Sequence, residues 1–176
     1  MLKKWKKINQ IKEISNKWWT YIIDEVELPD GKMGEYHYVH TNGSSMIIPV
    51  LDNGNILMVN QYRYLKARES LEFPCGSVKD GSTYEETATH ELAEEANVEA
   101  EVIEYAGTFN PYNGVTDEMC QVYIARNLKK KVLPPDETEE FEIFAFRKDE
   151  IDSKIQSGEI WDGMSIAAWM LVRNKI

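Results

Sequence analysis

Cysteine and long apolar segments are scarce in this sequence. Its 176 residues include 2 cysteines, Cys75 and Cys120, which lie far apart in the chain and match no zinc-binding spacing. So few cysteines exclude a disulfide-rich secreted domain, and we expect a reducing cytoplasm as the location. No window approaches the roughly 18 apolar residues of a membrane span, and the basic N-terminus lacks the apolar core of a signal peptide. We therefore expect a protein that is neither exported nor membrane-embedded.

Positive charge is also scarce. The chain has 20 Lys and Arg against 30 Asp and Glu, which gives a net charge of -10. Nucleic-acid affinity rests largely on basic side chains that displace counterions from phosphates, so we expect no nucleic-acid partner. A phosphorylated small molecule can still bind if metal ions screen its phosphates from the carboxylates. The length and composition are those of a globular protein with one domain.

The first third of the chain is rich in aromatic and β-branched residues, which favour strands. Turn sequences separate the candidate strands, and residues 46–51 and 56–62 are expected to form a hairpin. The remaining predicted elements are strands at 18–26, 35–40, 100–109, 119–125 and 141–146, and helices at 149–156 and 165–173. This order favours a mixed α/β sandwich over a doubly wound sheet.

The strongest helix signal begins at Ser82. Ser82 and Glu85 form a Ser-x-x-Glu capping box, and Asn97 is a suitable stop because it tolerates the left-handed conformation. On this helix Glu91, Glu94 and Glu95 share one face. Like charges so close together destabilise a helix, and a divalent cation would compensate for them. From these residues alone, the alternative is a solvated acidic face on an acidic protein.

The span from Gly76 to Val98 resembles the Nudix box, in which Gly is followed six residues later by Glu and then by Arg-Glu-aliphatic-x-Glu-Glu-x-Gly-aliphatic. The positions that match in register are Gly76, Glu91, Leu92, Glu94, Glu95 and Val98. Three positions depart from the pattern: Ser82 replaces Glu, His90 replaces Arg and Asn97 replaces Gly.

Segments on both sides of the box are similar to those of the ADP-ribose pyrophosphatase branch of the family, so the resemblance runs from about residue 16 to the C-terminus. These segments are residues 61–63, 71–76, 107–118 and 136–140. The resemblance implies an α+β fold, an α/β/α sandwich with a mixed sheet, plus an N-terminal antiparallel β segment. Residues 1–45 are expected to form that β segment and to mediate homodimerisation, and residues 46–176 to form the hydrolase domain.

The resemblance also implies an activity: Mg²⁺-dependent hydrolysis of the diphosphate bond of a nucleoside diphosphate sugar such as ADP-ribose, with Mn²⁺ as an alternative metal. The products would be a nucleoside monophosphate and a sugar phosphate. One alternative is the same chemistry on a GDP-sugar or a nucleoside triphosphate. The other is a degenerate domain that binds a nucleotide without cleaving it, which the departures at Ser82 and His90 would explain.

Carried over by register, Glu91 and Glu95 are expected to be the main metal ligands, joined by Glu94 and by the backbone carbonyl of Cys75. The Cys75 thiol is expected to be buried packing. The general base is expected in the late acidic loop, where Glu139 is the best match and Glu137 the second. The alternative for that loop is a solvated acidic turn.

Four further residues are expected to contact the substrate by resemblance: Arg63, Glu72, Glu118 and Trp19. A guanidinium at Arg63 can grip phosphate oxygens, but it could equally form an ion pair with Glu69 or Glu72. Glu118 could instead be a simple turn carboxylate. Trp19 could stack on an adenine or belong to an interface.

His90 stands where the family Arg holds the metal-binding glutamates, often through a salt bridge to the Glu that Ser82 replaces. Both partners of that bridge are absent together, so no unpaired charge remains and the helix should fold. We expect His90 to hydrogen-bond to a glutamate rather than to bind metal. We also expect reduced activity, which replacement of His90 with Arg should raise.

Overall fold

The computed structural model of the chain describes residues 2–134 and 140–176. It divides into two compact units. The first comprises the residues up to Asn42 together with Asn110–Glu118, and the second comprises Gly43–Phe109 and Met119–Ile176. The division proposed from the sequence, residues 1–45 and 46–176, stays a prediction.

The first unit contains a three-stranded antiparallel sheet in the order β1-β2-β3. Its strands are β1 (Lys6–Ser15), β2 (Thr20–Glu27) and β3 (Met33–His40). The sequence did not predict β1, all of whose residues are exposed. Ile8 and Ile11 each lie at a register shift between β1 and β2, so the apolar residues of β1 do not alternate with period two as in a regular strand.

The described residues of the second unit form two sheets and three helices. Its strands are β4 (Ser44–Pro49), β5 (Ile56–Arg63), β6 (Arg68–Glu72), β7 (Cys75–Ser77), β8 (Val98–Phe109), β9 (Cys120–Lys130) and β10 (Glu142–Phe146). Its helices are α1 (Tyr84–Glu95), α2 (Lys148–Ser157) and α3 (Gly163–Val172), and a 3-10 turn covers Tyr64–Lys66. One sheet has the order β7-β4-β9-β8 and is mixed, because β4 and β9 run parallel. The other sheet, β10-β5-β6, is antiparallel.

Helices cover both faces of the mixed sheet. Ile47 on β4 packs with Ala88 and Leu92 of α1. Its neighbours Met46 and Ile48 point the other way, as expected for a strand, into the core that contains Trp169 of α3, Ile151 of α2 and much of β5. The predicted α/β/α sandwich with a mixed sheet is therefore confirmed. Among the described residues, no helix has the length and apolar character needed to cross a membrane.

The predicted hairpin of residues 46–51 and 56–62 is wrong. The chain does reverse there, since the Leu51 amide donates to the Asn55 carbonyl at 2.8 Å, and one bridge joins Val50 to Ile56. Beyond that bridge the strands separate into different sheets, because β4 pairs with β7 and β9 while β5 pairs with β6 and β10. All six residues of β4 are buried, which is typical of a central strand with partners on both sides.

The predicted capping box at Ser82 is also wrong, by one residue. The N-cap of α1 is Thr83, whose hydroxyl accepts the Glu86 amide at 3.2 Å while the Glu86 carboxylate accepts the Thr83 amide at 2.8 Å. The sequence contains two overlapping Ser/Thr-x-x-Glu boxes. Ser82 instead closes the preceding turn, where its amide donates to the Lys79 carbonyl at 3.0 Å.

Candidate active site

Glu91, Glu94 and Glu95 of α1 do not form a solvated acidic face. Glu94 and Glu95 are 9% and 4% exposed, and Glu91 is half-buried. The helix ends as the sequence predicted, because Asn97 follows with a φ of 56°. A buried carboxylate costs free energy unless a hydrogen-bond donor or a cation compensates for it. Glu94 and Glu95 are accordingly buried together with partners, His90 and the Cys75 amide.

Strand β7 supplies one donor to this site. The backbone amide of Cys75 donates to Oε2 of Glu95 at 3.1 Å, which fixes the end of α1 against the start of β7. Cys75 is held in turn by β4, where it lies opposite Met46. Its carbonyl as a metal ligand stays a prediction.

The absence of a side chain at Gly76 leaves the space that the Glu91 carboxylate occupies. A Cβ atom added at Gly76 would overlap the Glu91 carboxyl group and lie 2.9 Å from Glu91 Cγ. The φ of Gly76 is not in the left-handed region, so the requirement for glycine here comes from space rather than from backbone conformation. The pairing of Gly76 with Glu91 in the sequence motif thus has a direct steric cause.

His90 lies on the solvent side of the same cluster. Its Nδ1 atom is 3.0 Å from Oε2 of Glu94, so the expected contact between His90 and a glutamate is confirmed. Potential ligand atoms of His90, Glu91 and Glu94 all lie within 4.8 Å of one another. His90 also lines an open cavity of about 770 Å³ between α1 and β9, so solvent reaches the imidazole.

Arg63 and Glu72 form one of the two ion pairs that the sequence left open. The Arg63 Nε atom donates to Oε1 of Glu72 at 2.8 Å, and Nη2 donates to Oε2 of the same carboxylate. Glu72 is only 3% exposed, whereas 46% of the Arg63 side chain is accessible. Glu69 instead accepts a hydrogen bond from the Asn60 amide at 3.1 Å.

This pairing sets the electrostatics of the neighbouring groups. The hydrogen bonds that Arg63 donates to Glu72 raise the pKa of the guanidinium, and the charges of Glu72, Asp162 and Glu95 raise it further. The charge of Arg63 therefore interacts with that of Glu95 on helix α1. The guanidinium stays charged over the whole physiological range.

The Cys75 thiol is packing rather than chemistry. It packs against the main hydrophobic core, beside Cys120. The Cys120 thiol and burial together raise the pKa of the Cys75 thiol well above its ordinary value. A thiol with so high a pKa stays protonated and is a poor nucleophile.

Two predicted substrate contacts belong to the first unit. Trp19 is 44% exposed, and its amide donates to the Asn16 side chain at 3.1 Å. Glu118 closes a turn in which its amide donates to the Thr116 hydroxyl at 3.0 Å. The predicted contacts of both residues with substrate stay predictions. The predicted bases Glu139 and Glu137 lie outside the described residues.

Sequence reasoning missed the part that α3 plays in the site. Asp162 is the N-cap of α3, and its carboxylate accepts the Ser165 amide at 2.7 Å. The buried Ser165 hydroxyl then accepts the Phe73 amide at 3.1 Å, which anchors the segment between Glu72 and Cys75. The signal was available in the sequence, because Asp162-x-x-Ser165 is an N-capping pattern.

The donor set fits a hard divalent cation. Glu91, Glu94 and Glu95 offer carboxylate oxygens, the ligands that such cations prefer, and two of these carboxylates are buried. The space above Gly76, which a Cβ would fill, is occupied by the Glu91 carboxylate. A cation at this position would also bring positive charge to the point where an anionic substrate must approach.

Comparisons with known proteins agree with this geometry. The family model of the NUDIX domain matches residues 41–166. The chain is 31% identical over 148 residues to the methanol dehydrogenase activator of Bacillus methanolicus, covering 83% of this chain and 80% of that protein. It is 31% identical over 150 residues to the ADP-ribose pyrophosphatase of Bacillus subtilis (strain 168), with the same coverage. The crystal structure of an ADP compounds hydrolase has the same fold, with a TM-score of 0.87 at 20% identity over 99% of this chain and 95% of that chain.

Proposed function

Because the chain belongs to the Nudix family and is a pyrophosphohydrolase of the ADP-ribose pyrophosphatase-like type, we propose that it cleaves the diphosphate bond of a nucleoside diphosphate sugar such as ADP-ribose. The products are a nucleoside monophosphate and a sugar phosphate. The observation that carries this proposal is the burial of Glu94 and Glu95 beside the Gly76 cradle. Buried carboxylates serve a diphosphate only through a cation between them.

Nudix hydrolases use divalent metal ions, and we propose Mg²⁺ here, with Mn²⁺ as a substitute. Glu91 and Glu95 would hold the metal, with Glu94 and the Cys75 carbonyl as further ligands. When bound, the metal would neutralise charge on the phosphoryl oxygens and lower the pKa of a bound water. The Cys75 amide orients the Glu95 carboxylate for that role by donating a hydrogen bond to its Oε2 atom.

Arg63 orients the substrate in this proposal. Glu72 holds one edge of the guanidinium by two hydrogen bonds, and the accessible part of the side chain is left to bind a phosphate oxygen or the terminal sugar. Glu72 thus serves the substrate through Arg63. In this proposal Arg63 forms its ion pair with Glu72 and contacts the substrate at the same time.

A water molecule attacks one phosphorus atom, and the bridging oxygen leaves with the other phosphate. We propose Glu139 as the base that takes the proton of this water, Glu137 as the second candidate, and Glu94 as a contributor from α1. Glu118 is proposed to contact the catalytic water or the substrate, and Trp19 to stack on the adenine of the substrate. These roles rest on the resemblance of the late loop and the flanking segments.

The test is a screen of nucleotide sugars, GDP-sugars and nucleoside triphosphates with Mg²⁺ or Mn²⁺, in which monophosphate release is measured. Release of AMP from ADP-ribose at the highest kcat/KM would support the proposal. The variant Glu85→Gln is a control for changes on α1. Glu85 is exposed on that helix, so the variant should hydrolyse ADP-ribose as the wild type does. Preference for a GDP-sugar or a nucleoside triphosphate would contradict the proposed substrate but not the proposed hydrolysis of a diphosphate bond.

The non-catalytic alternative rested on Ser82 and His90, and we do not retain it. The helix keeps a complete cap at Thr83, so the loss of Glu at position 82 leaves α1 intact. His90 contacts Glu94 directly, so that carboxylate keeps a partner without the family Arg.

We also propose that the protein is a homodimer, with the first unit at the interface. Strand β1 exposes Ile8, Ile11 and Ile14, each at 43% to 51%, and Trp18 and Trp19 are exposed beyond its end. Apolar side chains concentrated on one strand are typical of an interface. A second copy is the partner proposed because the resembled branch pairs through this segment. The cytoplasmic location stays a prediction.

A further inference from the structure

His90 differs from the other groups of the metal-binding helix in its chemistry. The chain has 3 histidines, and His90 is the one within the motif that resembles the Nudix box. The family residue at this position is Arg, whose permanent positive charge prevents it from binding a cation. An imidazole is instead among the commonest metal ligands in proteins. The replacement therefore adds a donor that the family pattern does not have.

The spacing of the donors suits a single cation. In octahedral coordination with bonds of about 2.1 Å, neighbouring ligand atoms are about 3.0 Å apart and opposite ones about 4.2 Å. The Nδ1 atom of His90 is 3.0 Å from Oε2 of Glu94. Ligand atoms of His90, Glu91 and Glu94 lie within 4.8 Å of one another, so small side-chain rotations would bring all three to one ion.

We propose that His90 is a nitrogen ligand of a divalent cation that Glu91 and Glu94 also bind. This inference rests on the proposed function, and it reverses the expectation that His90 only donates a hydrogen bond. A mixed nitrogen and oxygen donor set favours Co²⁺, Ni²⁺ and Zn²⁺ over Mg²⁺, which prefers oxygen alone. The metal preference of this protein is therefore shifted toward transition metals relative to members that carry Arg.

The direct test is pulsed EPR of the full chain loaded with Mn²⁺, which detects hyperfine coupling to a directly bound ¹⁴N nucleus. The wild type is expected to show this coupling, and His90→Ala to lose it. Alanine is the best helix former, and His90 is exposed on α1, so the variant should fold. His37→Ala and His40→Ala are matched controls and should keep the coupling. Bound Mn²⁺ without nitrogen coupling in the wild type would overturn the proposal.

Metal affinities separate a ligand from a positioning residue. Titration calorimetry should show that His90→Ala weakens Co²⁺ binding by about 10- to 100-fold and Mg²⁺ binding by less than about threefold. Equal losses for both metals would show that His90 only positions Glu94, and would overturn the proposal. His90→Arg, a second variant, should lower the ratio of Co²⁺-supported to Mg²⁺-supported turnover even if Mg²⁺-supported activity rises.

Glu91→Gln makes failure of this inference distinguishable from failure of the proposed function. It should weaken both metals, because it removes an oxygen ligand. If Glu91→Gln binds Mn²⁺ and Mg²⁺ as the wild type does, the proposed metal centre itself is wrong. If only the nitrogen signal is missing, the centre stands and His90 is not part of it.

Discussion

Helix α1 buries two carboxylates, whereas strand β1 exposes three isoleucines. Each element departs from the usual distribution of polar and apolar groups, in opposite senses. On α1 the unfavourable groups are the Glu94 and Glu95 carboxylates, whose removal from water costs free energy that their partners must offset. On β1 the unfavourable groups are apolar side chains left in water, although the strand pairs with β2 along its length.

Under the proposed function each departure has its own counterpart, a cation at the α1 carboxylates and a second copy of the chain at the β1 isoleucines. In that proposal the cation supports catalysis, whereas the second copy supports assembly. Variants that change one of these properties should leave the other intact.

Loss of a carboxylate on α1 should have the largest effect. Glu91→Gln removes a charge from the cation site without changing the shape of the side chain, and kcat/KM should fall by about 100- to 1000-fold. Thermal stability without metal should be equal or higher, because repulsion among like charges falls. Hydrolysis and thermal denaturation should be measured together. Wild-type turnover in Glu91→Gln would show that the Glu91 carboxylate is not needed for catalysis.

A methyl group at Gly76 should have the next largest effect. In Gly76→Ala the new Cβ displaces the Glu91 carboxylate, and a shift of about 1 Å in a catalytic group can cost about 100-fold in rate. The free energy of unfolding should fall by about 1–3 kcal/mol, as for other overpacked sites. Gly163→Ala is the matched control, since a Cβ there meets no atom within 4 Å. A fully active Gly76→Ala would contradict the steric account of the motif.

Removal of the Arg63 guanidinium should show how much its ion pair with the buried Glu72 carboxylate contributes to stability. Arg63→Met leaves Glu72 buried without its ion pair, and the free energy of unfolding should fall by about 1–3 kcal/mol. Addition of Glu72→Gln to Arg63→Met should recover part of this loss, because the neutral amide is less costly to bury. Chemical denaturation would measure both. If the double variant is no more stable than Arg63→Met, the ion pair is not what stabilises Glu72.

A charge on β1 should have the smallest effect on the chain itself. Ile11→Lys should abolish dimerisation in light-scattering measurements while changing the free energy of unfolding of the monomer by less than about 0.5 kcal/mol. Val102→Lys is the control, because Val102 is an exposed apolar residue of a strand in the second unit. A wild type that is monomeric at all concentrations would contradict the proposed homodimer. A dimeric Ile11→Lys variant would contradict an interface formed by β1.

Much of the fold and the centre of the site could be predicted from the sequence. The register of Gly76 with Glu91 is local, and the Asn97 stop is a property of a single segment. Strand partners could not be predicted in this way. The turn between β4 and β5 has hairpin residues, but the pairing was decided by strands distant in sequence, such as β9 and β10.

Other details depend on choices that tertiary packing makes. Two overlapping capping boxes are equivalent in sequence, and the turn that includes Lys79 and Ser82 selects Thr83. The isoleucines of β1 do not alternate with period two in the sequence, because the strand contains bulges. The sequence pattern therefore did not predict this strand. Arg63 and Glu72 share a face of the β5–β6 ladder, a fact that only the pairing register reveals.

The hydrogen bond between the Cys75 amide and Glu95 also has a consequence for how the protein folds. It joins residues only 20 apart in the chain, so its loop closes at little entropic cost compared with the long-range pairing of β4 with β9. Contacts of short sequence separation form quickly, whereas long-range parallel pairing is slow. We expect the segment from β7 through α1 to be a folding unit in which Cys75 and Glu95 meet before the mixed sheet is complete.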